Sequence, residues 1–166
     1  GYDQGLARVP LWFSWPGHTR EGVVSEALVE LIDIPETLLE AAGLPVPGSM
    51  QGKSLYPLLS GQAPADVHKP YVLCEYFDAL GMADRLESRA TMYFDGQYKL
   101  NVYHGLDDVG ELYDLKADPD EFDDLWQDPD HQSLKCRLMG QACPAFMLVS
   151  GAGPERTAPR GATWSA

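Results

Sequence analysis

The stretch ATMYFDGQYKLNVYHG, residues 90–105, restricts the fold more than any other. Aromatic and aliphatic residues alternate on both sides of Asp95-Gly96, a two-residue turn signal, so the pattern predicts a β-hairpin. Two neighbouring runs extend it. YVLCEYF (residues 71–77) reads as a strand before the hairpin, and GELYDL (residues 110–115) as a strand after it. In the last, Leu112 and Asp114 fall on one face and Tyr113 and Leu115 on the other. From Tyr71 onward the chain is therefore expected to form a small antiparallel sheet.

Helix signals lie on either side. In IDIPETLLEAAGLPVPG, Asp33 is placed as an N-cap, Pro35 in the first turn and Glu36 three residues after the cap. Leu38, Leu39 and Ala42 supply the apolar face, and Gly43 suits the residue just past the helix end. QGKSLYPLLSG follows as a turn and a short apolar segment. Asp128-Pro129 opens a terminal helix with Leu134, Leu138 and Ala142 at four-residue spacing, which Pro144 is expected to kink or end. Near the start, RVPLWFSWPG reads as a short buried strand that Pro16-Gly17 terminates, with something covering Leu11, Trp12, Phe13 and Trp15. Arg8 is expected to pair with a carboxylate at that strand's end.

The 166 residues are 45% apolar, enough for a core, and carry 25 acidic against 12 basic side chains for a net charge of −13. That balance excludes nucleic acid as a partner, because phosphate binding needs clustered Lys and Arg. No run is long and apolar enough to span a membrane. The chain begins at Gly1, so the natural N-terminus is expected upstream. Cys74, Cys136 and Cys143 form no C-x-x-C pair and read as free buried thiols. Unpaired thiols point to a reducing, cytoplasmic compartment, with a periplasmic location as the alternative.

GELYDLKADPDEFDDLWQDPD, residues 110–130, holds nine Asp or Glu with apolar residues threaded between them. A calcium loop needs alternating ligands, a mid-loop Gly and a terminal Glu. Asp118, Asp120 and Asp124 lack that Gly, and Pro119 sits at a spacer position. The stretch reads instead as a strand, a turn set by Asp118-Pro119, and a short element anchored by Phe122, Leu125 and Trp126.

This stretch resembles the C-terminal signature of the sulfatase family, a G-E-L-Y-D-L strand followed by D-P-x-E-x-x-N-L. YDQGLARVPLWFSWPG is similar to the family's Y-[DE]-x-x-x-x-R-V-P-L segment. LIDIPETLLEAAGLPVPGSMQGKSLYPLL is similar to its D-x-x-P-T-L-L-x-x-A-G-x-P run and the Q-G-x-S-L-x-P-L-L that follows. DGQYKLNVYHG is similar to its D-G-x-Y-K-L hairpin. The four motifs stand in the family's order and cover most of residues 2–138.

The resemblance implies an α/β, alkaline-phosphatase-like fold of which this chain is the C-terminal part. Residues 1–60 would be the closing strand and helix of the large α/β domain and 61–70 a linker. Residues 71–148 would be the antiparallel sheet with its helix, and 149–166 an extended tail. Family members hydrolyse sulfate esters with a formylglycine nucleophile and a calcium ion. The residues after Cys74, Cys136 and Cys143 do not fit the C-x-P-S-R motif that is modified, and Asp3-Gln4-Gly5 matches the segment after the family's catalytic Lys. No catalytic or metal-ligating residue is therefore expected in this chain, and calcium and formylglycine would belong to the upstream part. The chain would pack against that part and shape the pocket for a sulfate ester, with homo-oligomerisation possible. His104, Tyr103 and Arg89 are the candidate substrate contacts, although a lone histidine such as His104 reads first as a hydrogen-bonded surface histidine. Lys99 is expected to snorkel along the sheet. Two other readings stand beside this one: a phosphonate or phosphate ester hydrolase of the same superfamily, and a non-catalytic acidic interaction module.

Overall fold

The computed structural model describes residues 2–77 and 89–151, with the backbone alone for 148–151. Its centre is a four-stranded antiparallel sheet in chain order, β1 (Val72–Phe77), β2 (Arg89–Phe94), β3 (Tyr98–His104) and β4 (Gly110–Asp114). Three short helices precede it, α1 (Gln4–Ala7), α2 (Asp33–Ala41) and α3 (Tyr56–Ser60). A 3-10 turn, Pro129–His131, then leads into the long α4 (Gln132–Gly151).

Cross-strand partners share a face of a sheet, so the register divides the side chains cleanly. Tyr93 lies opposite Leu100, and Leu100 opposite Leu112. These three pack with Trp126 and with Leu138 and Ala142 of α4 into the main core. The four-residue spacing read along α4 thus sets the face that covers the sheet. On the other face Ala90 and Met92 pack under Tyr2, with Ala7, Cys74, Phe94 and Tyr103 around them. The sheet is a middle layer between α4 and the N-terminal segment. Gly110 has a packing reason: a Cβ there would collide with the Trp126 ring.

The hairpin turn is shifted by one residue from the expected position. Phe94 pairs with Lys99 and the Asp95 amide donates to the Tyr98 carbonyl, leaving Gly96 and Gln97 at the tip. Gly96, at φ +95°, takes the first central position, where this turn class needs glycine. Asp95 stays outside the tip because its Oδ1 accepts from the amides of Gln97 at 3.0 Å and Tyr98 at 2.7 Å.

Helix α2 ends as expected. Gly43, at φ +70°, follows it, with Gly43 N donating to the Glu40 carbonyl and Leu44 N to the Leu39 carbonyl. Its start differs. Ile32 is the N-cap and Asp33 the first helical residue, because the Asp33 carboxylate is engaged elsewhere. It accepts from Glu30 N at 2.9 Å and from Lys53 N at 2.8 Å. Glu36 Oε1 accepts from Gly52 N at 2.7 Å, and Thr37 Oγ1 from Leu55 N at 2.8 Å. The helix thus holds the QGKSL loop, and a Cβ on Gly52 would collide with the Ile32 carbonyl.

Four further features depart from the sequence reading. Residues 8–17 form no ladder with any described strand, and Trp12 is 81% exposed; a strand needs a partner edge, and this segment pairs with neither open edge of the sheet, that of β1 or that of β4. Arg8 is exposed there, with no carboxylate paired to it among the described residues. Helix α4 runs through Pro144 to Gly151, beyond the expected start of the tail at residue 149. Both Pro144 and Gly140, whose carbonyl the proline leaves without its helical donor, face solvent. The rest of the expected tail, from residue 152, lies outside the described residues. Finally, all three thiols are free, but Cys136 and Cys143 are exposed and only Cys74 is partly shielded.

Candidate functional site: the two faces of the sheet

Arg89 opens β2 and His104 closes β3, and the register sets them directly opposite each other. Both are exposed on the α4 side of the sheet, at the end from which the 105–109 connection leaves. His104 Nε2 lies 2.7 Å from Thr91 Oγ1, and the ring meets Phe146 of α4 edge-on at 6.4 Å. The hydrogen-bonded surface histidine is thus what the geometry shows, and Arg89 beside it adds a permanent positive charge. A guanidinium and an imidazole side by side suit an oxyanion.

Tyr103 does not join them. One residue from His104, it points to the opposite face and donates to Glu111 Oε1 at 3.1 Å. Glu111 Oε2 accepts from Asn101 Nδ2 at 2.7 Å. Burial, then the neighbouring Glu111 carboxylate, pushes the Tyr103 phenol up to about 12, so it remains a neutral donor. Two of the three sequence-derived candidates therefore share a face and the third does not.

The same face as Tyr103 holds Lys99, expected from the sequence to lie along the sheet with its head in solvent. Lys99 is fully buried. Its Nζ lies 2.5 Å from Glu121 Oε2, donates to the Tyr2 carbonyl and stands 5.6 Å from the centre of the Tyr113 ring. The physical reason is the N-terminal segment, which covers this face and shuts off the route to water. Glu121, at φ +60°, turns inward to meet it, while its neighbour Phe122 is 84% exposed rather than an anchor. The signal was available in the period of two: Lys99, Asn101 and Tyr103 alternate with apolar residues, marking a polar inner face.

A second buried polar centre ties α2 to the start of β1. Lys69 Nζ lies 2.6 Å from Asp33 Oδ1 and also bonds Glu30 Oε2, while Glu30 Oε1 accepts from Leu73 N at 2.8 Å. Burial alone would depress Lys69; its hydrogen bonds to Asp33 and Glu30 outweigh that and raise it. His68 Nε2 stands 3.3 Å from Asp33 Oδ2, and Lys53 Nζ donates to the His68 carbonyl at 2.5 Å. No spacing in the sequence announces this centre, since its side chains come from three separate segments.

The acidic stretch uses its carboxylates on backbone amides. Asp124 Oδ1 accepts from Leu112 N and Trp126 N, both at 2.9 Å. Asp118 Oδ2 accepts from Asp123 N at 2.8 Å and Asp128 Oδ1 from Asp130 N at 2.9 Å. These groups do not fit a calcium site: among the described residues no three His, Cys, Asp or Glu converge as metal ligands. Nor does Cys74 have the setting of a reactive thiol: burial, then Glu30 and Glu75, push it up.

Known proteins share this architecture. The profile of the family "N-sulphoglucosamine sulphohydrolase, C-terminal" matches residues 2–143. N-acetylglucosamine-6-O-sulfatase of Bacteroides thetaiotaomicron is 32% identical over 136 residues, covering 80% of this chain and 24% of that protein. Human arylsulfatase K is 31% identical over 124 residues, covering 71% of this chain and 22% of its own length. The phosphonate monoester hydrolase of Silicibacter pomeroyi superposes with a TM-score of 0.66 at 26% identity, over 80% of this chain and 27% of that one. The chain thus spans about a quarter of the length of the curated relatives it matches. With the motif order, the four-stranded sheet and its covering helix in agreement, the chain belongs to the sulfatase family, as its C-terminal portion.

Proposed function

We propose that the chain is the substrate-facing, non-catalytic C-terminal part of a sulfuric ester hydrolase, packed against an upstream part that carries the nucleophile and calcium. The observation that carries this reading is the Arg89–His104 pair, a cation and an imidazole placed opposite each other at the loop end of the sheet. Such a pair attracts an anionic ester and orients it by hydrogen bonds. Tyr103, on the opposite face and bonded to Glu111, is not part of this pair.

A phosphonate or phosphate ester hydrolase is the second reading, favoured by the superposition on the Silicibacter pomeroyi enzyme. The Arg–His pair suits either oxyanion, so the discrimination must come from turnover. In the full-length polypeptide we expect hydrolysis of an aryl sulfate to exceed that of an aryl phosphonate, and Arg89→Ala to raise KM about tenfold with kcat nearly unchanged. Residues 1–166 alone should turn over neither ester. Faster phosphonate hydrolysis would establish the second reading, and an unchanged KM would remove Arg89 from the pocket.

A further inference from the structure

We propose that the buried Lys99–Glu121 pair is a positioning clamp: it fixes the backbone at Tyr2 on the sheet, and through it the polypeptide joined to Tyr2. This rests on the reading above, in which the reacting groups precede residue 2.

Three independent contacts converge on this one residue. Lys99 Nζ donates to the Tyr2 carbonyl. The Tyr2 hydroxyl donates to the Ala90 carbonyl at 2.5 Å, one strand away. The Tyr2 ring packs on Ala90 and Met92. A residue held at its main chain, its ring and its hydroxyl has neither rotational nor sliding freedom. One turn of helix follows at once, with Asp3 Oδ1 accepting from Leu6 N at 3.2 Å, so the direction of the chain is set on that side too.

The chemistry at Lys99 is unusual for a merely structural contact. A fully buried ammonium is costly unless paired and hydrogen-bonded, and an apolar residue of similar length would fill the same space. What an apolar residue cannot do is hold a backbone carbonyl. Glu121 supports the same contact. It adopts φ +60°, a backbone region that non-glycine residues rarely occupy, and brings its carboxylate to 2.5 Å from the ammonium. The pair thereby joins three separate parts of the chain, the N-terminal segment, β3 and the loop after β4. Because small misplacements of reacting groups lower rates steeply, a clamp on this segment acts on turnover without touching substrate.

The test uses the full-length polypeptide with Lys99→Met and Glu121→Gly combined, which removes both charges together and gives the left-handed position to glycine. A matched control replaces another Lys–acid pair, Lys135→Met with Asp108→Gly; Asp108 also has positive φ, +49°, and its pair does not involve Tyr2. We expect the clamp variant to keep a cooperative melt, to lose on the order of 10- to 100-fold in aryl sulfate kcat with KM within about twofold, and to exchange the amides of residues 2–7 at least about tenfold faster. The control should leave exchange in residues 2–7 unchanged. Unchanged exchange there in a folded clamp variant overturns the clamp; faster exchange with unchanged kcat overturns its positioning role. If the double variant does not fold, Tyr2→Phe, which deletes only the bond to Ala90, must show the same two effects in smaller measure, and their absence rejects the proposal. A wild-type protein without sulfate ester hydrolysis would sink the sulfatase reading, while the exchange measurement still decides the clamp.

Discussion

The ring of His68 is shielded from solvent, and neither of its nitrogens has a hydrogen-bond partner among the described residues. Around it stand Asp33 and Glu30, negative, and Lys53 and Lys69, positive, so the centre is balanced with the imidazole neutral. Burial holds the His68 pKa below its usual value, against the smaller pull of Asp33, and Lys53 and Lys69 add to the depression. In the unfolded chain the same ring takes up a proton at about pH 6.5. The unfolded state therefore binds more protons below that pH. Stability from this residue is complete above about pH 6.5 and falls as the pH drops through it, by about 1.4 kcal/mol per pH unit until the folded pKa is reached. Urea unfolding between pH 7.5 and 5.5 should show this slope, and His68→Gln should flatten it. An equal slope in both proteins would mean that other groups carry the acid response.

Among the elements, α4 contains the clearest internal conflict. A proline inside a helix removes one hydrogen bond and strains the preceding turn, at a cost of about 3 kcal/mol relative to alanine. Packing decides against it: Leu138, Ala142 and Ala145, on both sides of the proline, are buried, while Pro144 itself faces solvent. Pro144→Ala should thus stabilise the chain by about 2 kcal/mol, read as a higher urea midpoint with unchanged m-value. A neutral result would show that solvent already satisfies the Gly140 carbonyl fully. The same competition explains what was legible beforehand. Strands β1–β4 and the face of α4 follow from period and spacing, because their burial is repeated every second or every fourth residue. The N-cap of α2 departs from its expected place because Asp33 is used by the Lys53 amide and by Lys69, both distant in sequence. The hairpin tip moves by one residue for a local reason, the two amides that Asp95 accepts. Phe122 reads as an anchor in the sequence because apolar residues usually turn inward; here Glu121 takes the inward place.

Across the whole molecule, the sheet and its two covering layers account for the second half of the described chain, but the first half leaves much apolar surface uncovered. Val9, Leu11, Trp12, Trp15, Val23 and Val24 are all exposed, and residues 9–14 pair with no strand among the described residues. Arg89 and His104 were legible as polar residues at strand ends, whereas their pairing across β2 and β3 needed the register. The exposed ribbon was legible as an apolar run but not as uncovered, because a run of that kind says only that burial is favourable. Fully burying a tryptophan removes about 200 Å² from water, about 5 kcal/mol by area. Two copies of residues 1–166 meeting at this ribbon gain such a term from each side, and backbone outside any described ladder adds hydrogen bonds. The isolated chain is therefore expected to self-associate with rising concentration in sedimentation velocity. Leu11→Ser with Trp12→Lys should weaken that association at least about tenfold, since 1.4 kcal/mol suffices for a factor of ten. Phe122→Lys serves as the comparison: Phe122 is equally exposed but stands alone among Asp118, Asp120, Asp123 and Asp124, whose like charges oppose close approach of a second copy. Equal effects from the two changes would mean that association follows total exposed apolar area rather than the ribbon, and a monomer at all concentrations would mean that the ribbon is covered within the chain itself.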